Sequence, residues 1–78
     1  MDEKILFTLD KTEVNQTVRV KKLCVCGDIR RRLLDIGLVE GTAVQCVLRP
    51  FRGGPAAYMI RGAVIALRSE DAGEIYVG

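Results

Sequence analysis

The stretch "RRRLLDIGLVEG", Arg30 to Gly41, decides how the rest of this 78-residue chain is read. At about 100° per residue, Ile29, Leu33 and Ile36 fall within one narrow stripe, the pattern of a short helix with a single buried face. Arg31 and Asp35 lie opposite that stripe, four residues apart, while Arg30 and Leu34 share a flank about 100° away from it. Leu34 is therefore the apolar residue with no place in the core stripe. Asp28 sits where a carboxylate can cap the first free N–H groups of the helix. Gly37 sits where the chain can turn left-handed and stop it, and Leu38 then folds back on Leu33 in a Schellman motif. Gly41, four residues on, closes a turn with Val39 and Glu40 in its middle. Three arginines near the start of a helix oppose the positive end of its dipole, so their presence calls for a reason other than helix stability.

Around this helix the chain reads as short strands. In "QTVRVKKLCV" Val18 and Val20 alternate with Arg19 and Lys21 before the run turns apolar at Leu23, and in "AVQCVLRP" Val44, Cys46 and Leu48 alternate with Gln45, Val47 and Arg49 until Pro50 ends the ladder. Gly53-Gly54-Pro55 and Gly62 mark hairpin turns on either side of "AAYMI", with "AVIALR" following. Ser69, ahead of Glu70 and Asp71, predicts an N-cap and one helical turn before "EIYV" returns to strand. Five short strands and one helix of substance predict an all-β fold, a small barrel, as a single domain over residues 1–78. No repeat, linker or low-complexity tract divides the chain.

Composition narrows the function. Twelve Lys and Arg against ten Asp and Glu give a net charge of +2, too balanced to imply a nucleic-acid partner by charge alone. No apolar run approaches the roughly 20 residues of a membrane span, and "MDEKILFTLD" opens with acids, unlike a signal peptide, so a cytoplasmic protein with no membrane insertion is expected. The chain has no histidine, which removes Ser-His and Cys-His pairs and the usual neutral-pH acid/base, and it has no phosphate loop. The expectation is a protein that is not an enzyme and carries no cofactor. Cys24, Cys26 and Cys46 are three sulfurs without an imidazole, one short of a closed zinc site, and are read as small core residues in a reducing compartment. No metal site is expected, and the fold should keep its melting temperature in excess chelator. A phosphate track over Arg30, Arg31, Arg32, Arg49 and Arg52 is the nucleic-acid alternative, but the four aromatics, Phe7, Phe51, Tyr58 and Tyr76, are scattered rather than clustered for stacking.

"RRRLLDIGLVEGTAVQCV", then Gly54-Pro55, then "IRGAVIALR" closely resemble the FeoA family, small cytosolic proteins of bacterial ferrous iron uptake that partner the membrane transporter FeoB. The resemblance runs from Val18 through Val77. It is carried by Arg32-Leu33, Ile36-Gly37-Leu38, Gly41, Arg61-Gly62 and Ala66-Leu67-Arg68 in order with short gaps. It implies an SH3-like β-barrel and a non-enzymatic accessory or regulatory role, exerted by docking on the cytosolic part of a FeoB-type transporter as a monomer or weak self-associate. The alternative it leaves open is a metal-binding or nucleic-acid-associated domain related to the C-terminal SH3-like domain of iron-dependent repressors. Two features depart from the family pattern. Asn15 stands where glycine is more usual in a turn, though Asn tolerates positive φ, and the Cys24–Cys26 pair is not required by the pattern. For docking, Arg30, Leu34, Leu38, Val39 and Glu40 form the candidate surface, an apolar spot rimmed by guanidinium, while Asp28, Arg32, Leu33, Gly37, Gly41 and Gly62 hold the structural motif. The competing reading has Leu34 covered by the barrel or by "KILFTL" and the arginines as a solvated face.

Overall fold

The computed structural model describes residues 6–78. The acidic start of the chain, and the Lys4–Ile5 part of the segment that could cover Leu34, lie outside the described residues. The elements run β1 (Phe7–Thr8), a 3₁₀ turn (Leu9–Lys11), β2 (Thr17–Leu23), α1 (Gly27–Asp35), β3 (Ala43–Leu48), β4 (Ala56–Ile60), β5 (Ala63–Leu67), α2 (Ser69–Ala72) and β6 (Ile75–Val77). Every pairing is antiparallel. The strand order is β1-β6-β2-β3-β4-β5, which makes a six-stranded sheet with β1 and β5 as its two edges. The expected all-β fold with one short helix is borne out; the strands number six rather than five, and they form a sheet that does not close into a full barrel. The extra strand is Phe7–Thr8, two residues too short to show an alternation, which pair with Val77 and Tyr76.

The core is the inward face of the sheet: Val18 and Val20 of β2, Val44 and Cys46 of β3, Ala56, Tyr58 and Ile60 of β4, and Ile75 and Val77 of β6. Leu33 and Leu38 close it from the α1 side and Leu9 from the 3₁₀ turn. Two bulges decide which residues leave this face. Between Val20 and Lys22 the pairing of β2 with β6 slips by one residue, and an odd residue reverses the in–out alternation. Val25 consequently points inward, and Cys24 and Cys26 are exposed. These two cysteines are not core residues as expected; Cys46 is buried. The second slip lies between Cys46 and Leu48, which pairs with Ala57. It turns Leu48 outward, 61% exposed, against the simple alternation.

The β4–β5 hairpin turns on Arg61 (φ +49°) and Gly62 (φ +86°), between the paired residues Ile60 and Ala63. Two successive positive φ values are the signature of a type I′ turn, and glycine supplies the second without strain. Asn15 also takes positive φ, +75°, so this turn keeps its form without glycine.

Arg49 fastens the N-terminal turn to the sheet. Its guanidinium donates to the carbonyl oxygens of Thr12, at 2.8 Å, and Asp10. Beside it Tyr58 is buried, with its hydroxyl 3.5 Å from the Leu9 oxygen. Burial pushes the Tyr58 hydroxyl above the usual tyrosine value, while the Arg49 guanidinium pulls part-way back. A folded-state value above the unfolded one gives stability that is present below the unfolded value of about 10 and lost as the pH rises through the folded one. Urea midpoints should therefore fall more steeply above about pH 10 in the native chain than in Tyr58→Phe.

Candidate functional site

The site is built on the end of α1. Leu33 is buried, with Ile29 and Ile36 half-buried beside it, as the stripe requires. The three face Ile65, Ala66 and Leu67 of β5 across a small cleft that Arg32 also lines. The helix closes in a complete Schellman motif. Leu38 N–H donates to the Leu33 oxygen at 2.9 Å and Gly37 N–H to the Leu34 oxygen at 3.0 Å, with Gly37 at φ +94°. The turn after it is fixed by Thr42, a buried residue whose role a lone threonine in the sequence does not announce. Its hydroxyl donates to the Gly37 oxygen at 2.9 Å and accepts from Val39 N–H at 3.1 Å. Thr42 N–H also donates to the Val39 oxygen, so Glu40 and Gly41, rather than Val39 and Glu40, occupy the middle of the turn. The shift follows from φ: Gly41, at +92°, takes the third position, where a left-handed residue is needed.

The start of α1 also differs from expectation. The helix begins at Gly27, Cys26 occupies the N-cap position, and no side chain caps it. Asp28 is an acid inside the first turn, where its charge favours the positive end of the dipole. Gly27, at φ +76°, bends the chain into the helix and sets this earlier start. Ser69 is displaced in the same sense: Arg68 is the N-cap of α2 and Ser69 its first residue.

The earlier start accounts for the arginines. Arg30 is the fourth helical residue, at the far edge of the first turn, and Arg32 is in the last turn, where a cation is favoured. Arg30 reaches back and donates to the oxygens of Leu23, at 3.0 Å, and Val25, at 3.4 Å, tying the β2–α1 connection to the helix. Its part is therefore structural as well as superficial. Arg49, half-buried, spends both guanidinium ends on backbone carbonyls, which takes it out of the arginine track considered for nucleic acid, while Arg30 stays exposed.

Of the five candidate docking residues, the structure brings four to the surface and withdraws one. Arg30, Val39 and Glu40 are exposed, and Leu34 is 39% exposed. Leu38 is fully buried, because the Schellman contact that ends the helix places it in the core. Leu34 lines a shallow hollow with Gly27, Arg30, Arg31 and Asp35. Among the described residues no group of three or more His, Cys, Asp or Glu side chains is placed to hold a metal ion, and no helix is long and apolar enough to cross a membrane.

The FeoA domain family model matches residues 7–78. The chain belongs to the FeoA family. No curated protein matches it. Among solved structures, FeoA from Chlorobium tepidum superposes with a TM-score of 0.85 at 25% identity, over 91% of this chain and 68% of that one. FeoA from Stenotrophomonas maltophilia was determined with zinc and is described as a procaryotic SH3 domain protein proposed as a bacterial ferrous iron transport activating factor. It gives a TM-score of 0.81 at 26% identity, over 92% of this chain and 89% of that one. A manganese-dependent transcriptional repressor shares the fold, with a TM-score of 0.82 at 20% identity, over 97% of this chain and 37% of that one. This FeoA domain thus has the SH3-like architecture of its relatives and belongs to a family linked to ferrous iron transport.

Proposed function

We propose that this FeoA domain is a non-enzymatic, cytoplasmic accessory protein of ferrous iron transport that docks on the cytosolic part of a FeoB-type transporter. The docking surface is the outer flank of α1 and the turn behind it, with Leu34 and Val39 as apolar contacts and Arg30 and Glu40 as the polar rim. The observation that carries the reading is Leu34, an exposed leucine outside a buried stripe complete without it. The Schellman bonds fix the end of α1 that carries Leu34, and the Thr42 hydroxyl fixes the turn that carries Val39. An apolar contact on rigid backbone loses little freedom on binding.

Leu34→Ser tests this in cells that lack their own copy of the protein. The variant should melt within about a degree or two of the native chain, as a surface substitution does, yet fail to restore ferrous iron uptake. Full restoration would move the docking surface elsewhere. Arg30 makes a poorer probe, because Arg30→Glu also removes the bonds to Leu23 and Val25 and places an acid against two carbonyls.

A further inference from the structure

All ten acidic residues lie at or before Glu40 or at or after Glu70. Between them, Thr42 to Arg68 carries four arginines and no Asp, Glu or Lys. This acid-free stretch forms β3, β4 and β5. Their outward face follows from the register: Gln45 pairs with Met59, which pairs with Val64, and Leu48 pairs with Ala57, which pairs with Ala66. Gln45 is the sole polar side chain of these six. Leu48 and Val64 are 61% and 60% exposed. At the end of the face where Leu48 lies, the β3–β4 loop carries Phe51-Arg52, with Gly53 and Gly54 both at positive φ. Phe51 is 97% exposed, so the ring stands clear of the other described residues.

We propose that this loop seats the domain on an anionic phospholipid membrane surface, with the Phe51 ring entering the headgroup region and the Arg52 guanidinium meeting lipid phosphates. Two arguments favour lipid over a protein partner. A ring bare on every side gains most from a medium that surrounds it, whereas a protein hot spot is a side chain seated in a packed pocket at the centre of an interface. Charge complementarity also points to an anionic surface, since the six face residues and the loop residues 50–55 carry apolar atoms and the cation Arg52 without one carboxylate. Arg52 is exposed beside Phe51, while Arg49 is held by carbonyls. One aromatic ring and one arginine bind more weakly than a single myristoyl chain, with its constant of about 10⁴ M⁻¹, so the contact orients the domain at the membrane and does not anchor it.

The test needs only lipid vesicles and does not depend on transporter docking. The chain has no tryptophan, so Phe51→Trp supplies a reporter at the loop tip. Its emission should shift to the blue with phosphatidylglycerol-containing vesicles at about 1 mM lipid or more, and return on adding about 0.5 M salt. Native protein should sediment with the same vesicles and not with pure phosphatidylcholine. Arg52→Glu and Phe51→Ser should each lower the bound fraction about fivefold, with unchanged melting. The proposal is overturned by no blue shift at low salt, by equal binding to both vesicle types, or by Phe51→Ser losing capture by a lipid-free cytosolic transporter domain while keeping its vesicle binding.

Discussion

Gly37→Val is expected to lower folding stability by about 2–3 kcal/mol, at the upper end of the cost of one strained backbone residue. The position stands at φ +94°, beyond even the small left-handed region open to other residues, and a β-branched side chain is the least able to enter it. A Cβ there would also fall 2.5 Å from Cδ of Arg61, whose side chain lies across the helix end. That side chain is flexible, so the overlap adds less than the backbone does. Arg61→Ala should therefore recover only a minor part of the loss when combined with Gly37→Val. Urea midpoints of the two single variants and the double variant check this, and a full recovery would show that crowding, not φ, sets the cost.

The second large effect is Leu33→Ala, with an expected loss of about 2–4 kcal/mol, as for other buried leucine truncations. Leu33 is buried beneath α1, and its carbonyl accepts the Leu38 bond that ends the helix. Its neighbour Leu34 is the contrast, since Leu34→Ser should leave the midpoint almost where it was. Equal losses at 33 and 34 would mean that the two residues share one buried face and that no apolar side chain is spare for a partner.

What could be read in the sequence follows from how local its cause is. The Ile36-Gly37-Leu38 cap is legible because every part of it lies within one helical turn, and the Arg61-Gly62 turn because a two-residue hairpin is set by its own φ values. The fates of Cys24, Cys26 and Leu48 were not legible. Each depends on a one-residue slip against a partner strand, and the slip in β2 is made against β6, more than fifty positions later in the chain. The Arg49 bond to Thr12 and the small strand Phe7–Thr8 likewise exist only once distant backbone has been brought alongside, whereas the Arg30 bonds to Leu23 and Val25 are local and depend on how the β2–α1 connection bends. For the candidate site, periodicity separates Leu34 from the core stripe, whereas Leu38 joins the candidate surface only as a neighbour of Leu34. The motif that turns Leu38 inward is the same one that Gly37 announces.

In the proposed docking, this FeoA domain separates the face that folds it from the face that recognises a partner, and Leu34 belongs to the second. A titration against the isolated cytosolic domain of a FeoB-type transporter tests it most directly. The native chain should bind saturably. Leu34→Ser, with the same melting curve, should bind at least about tenfold more weakly, the loss of one interface contact worth about 1.4 kcal/mol. Equal affinity of the two folded proteins, or no binding by the native chain, would contradict it.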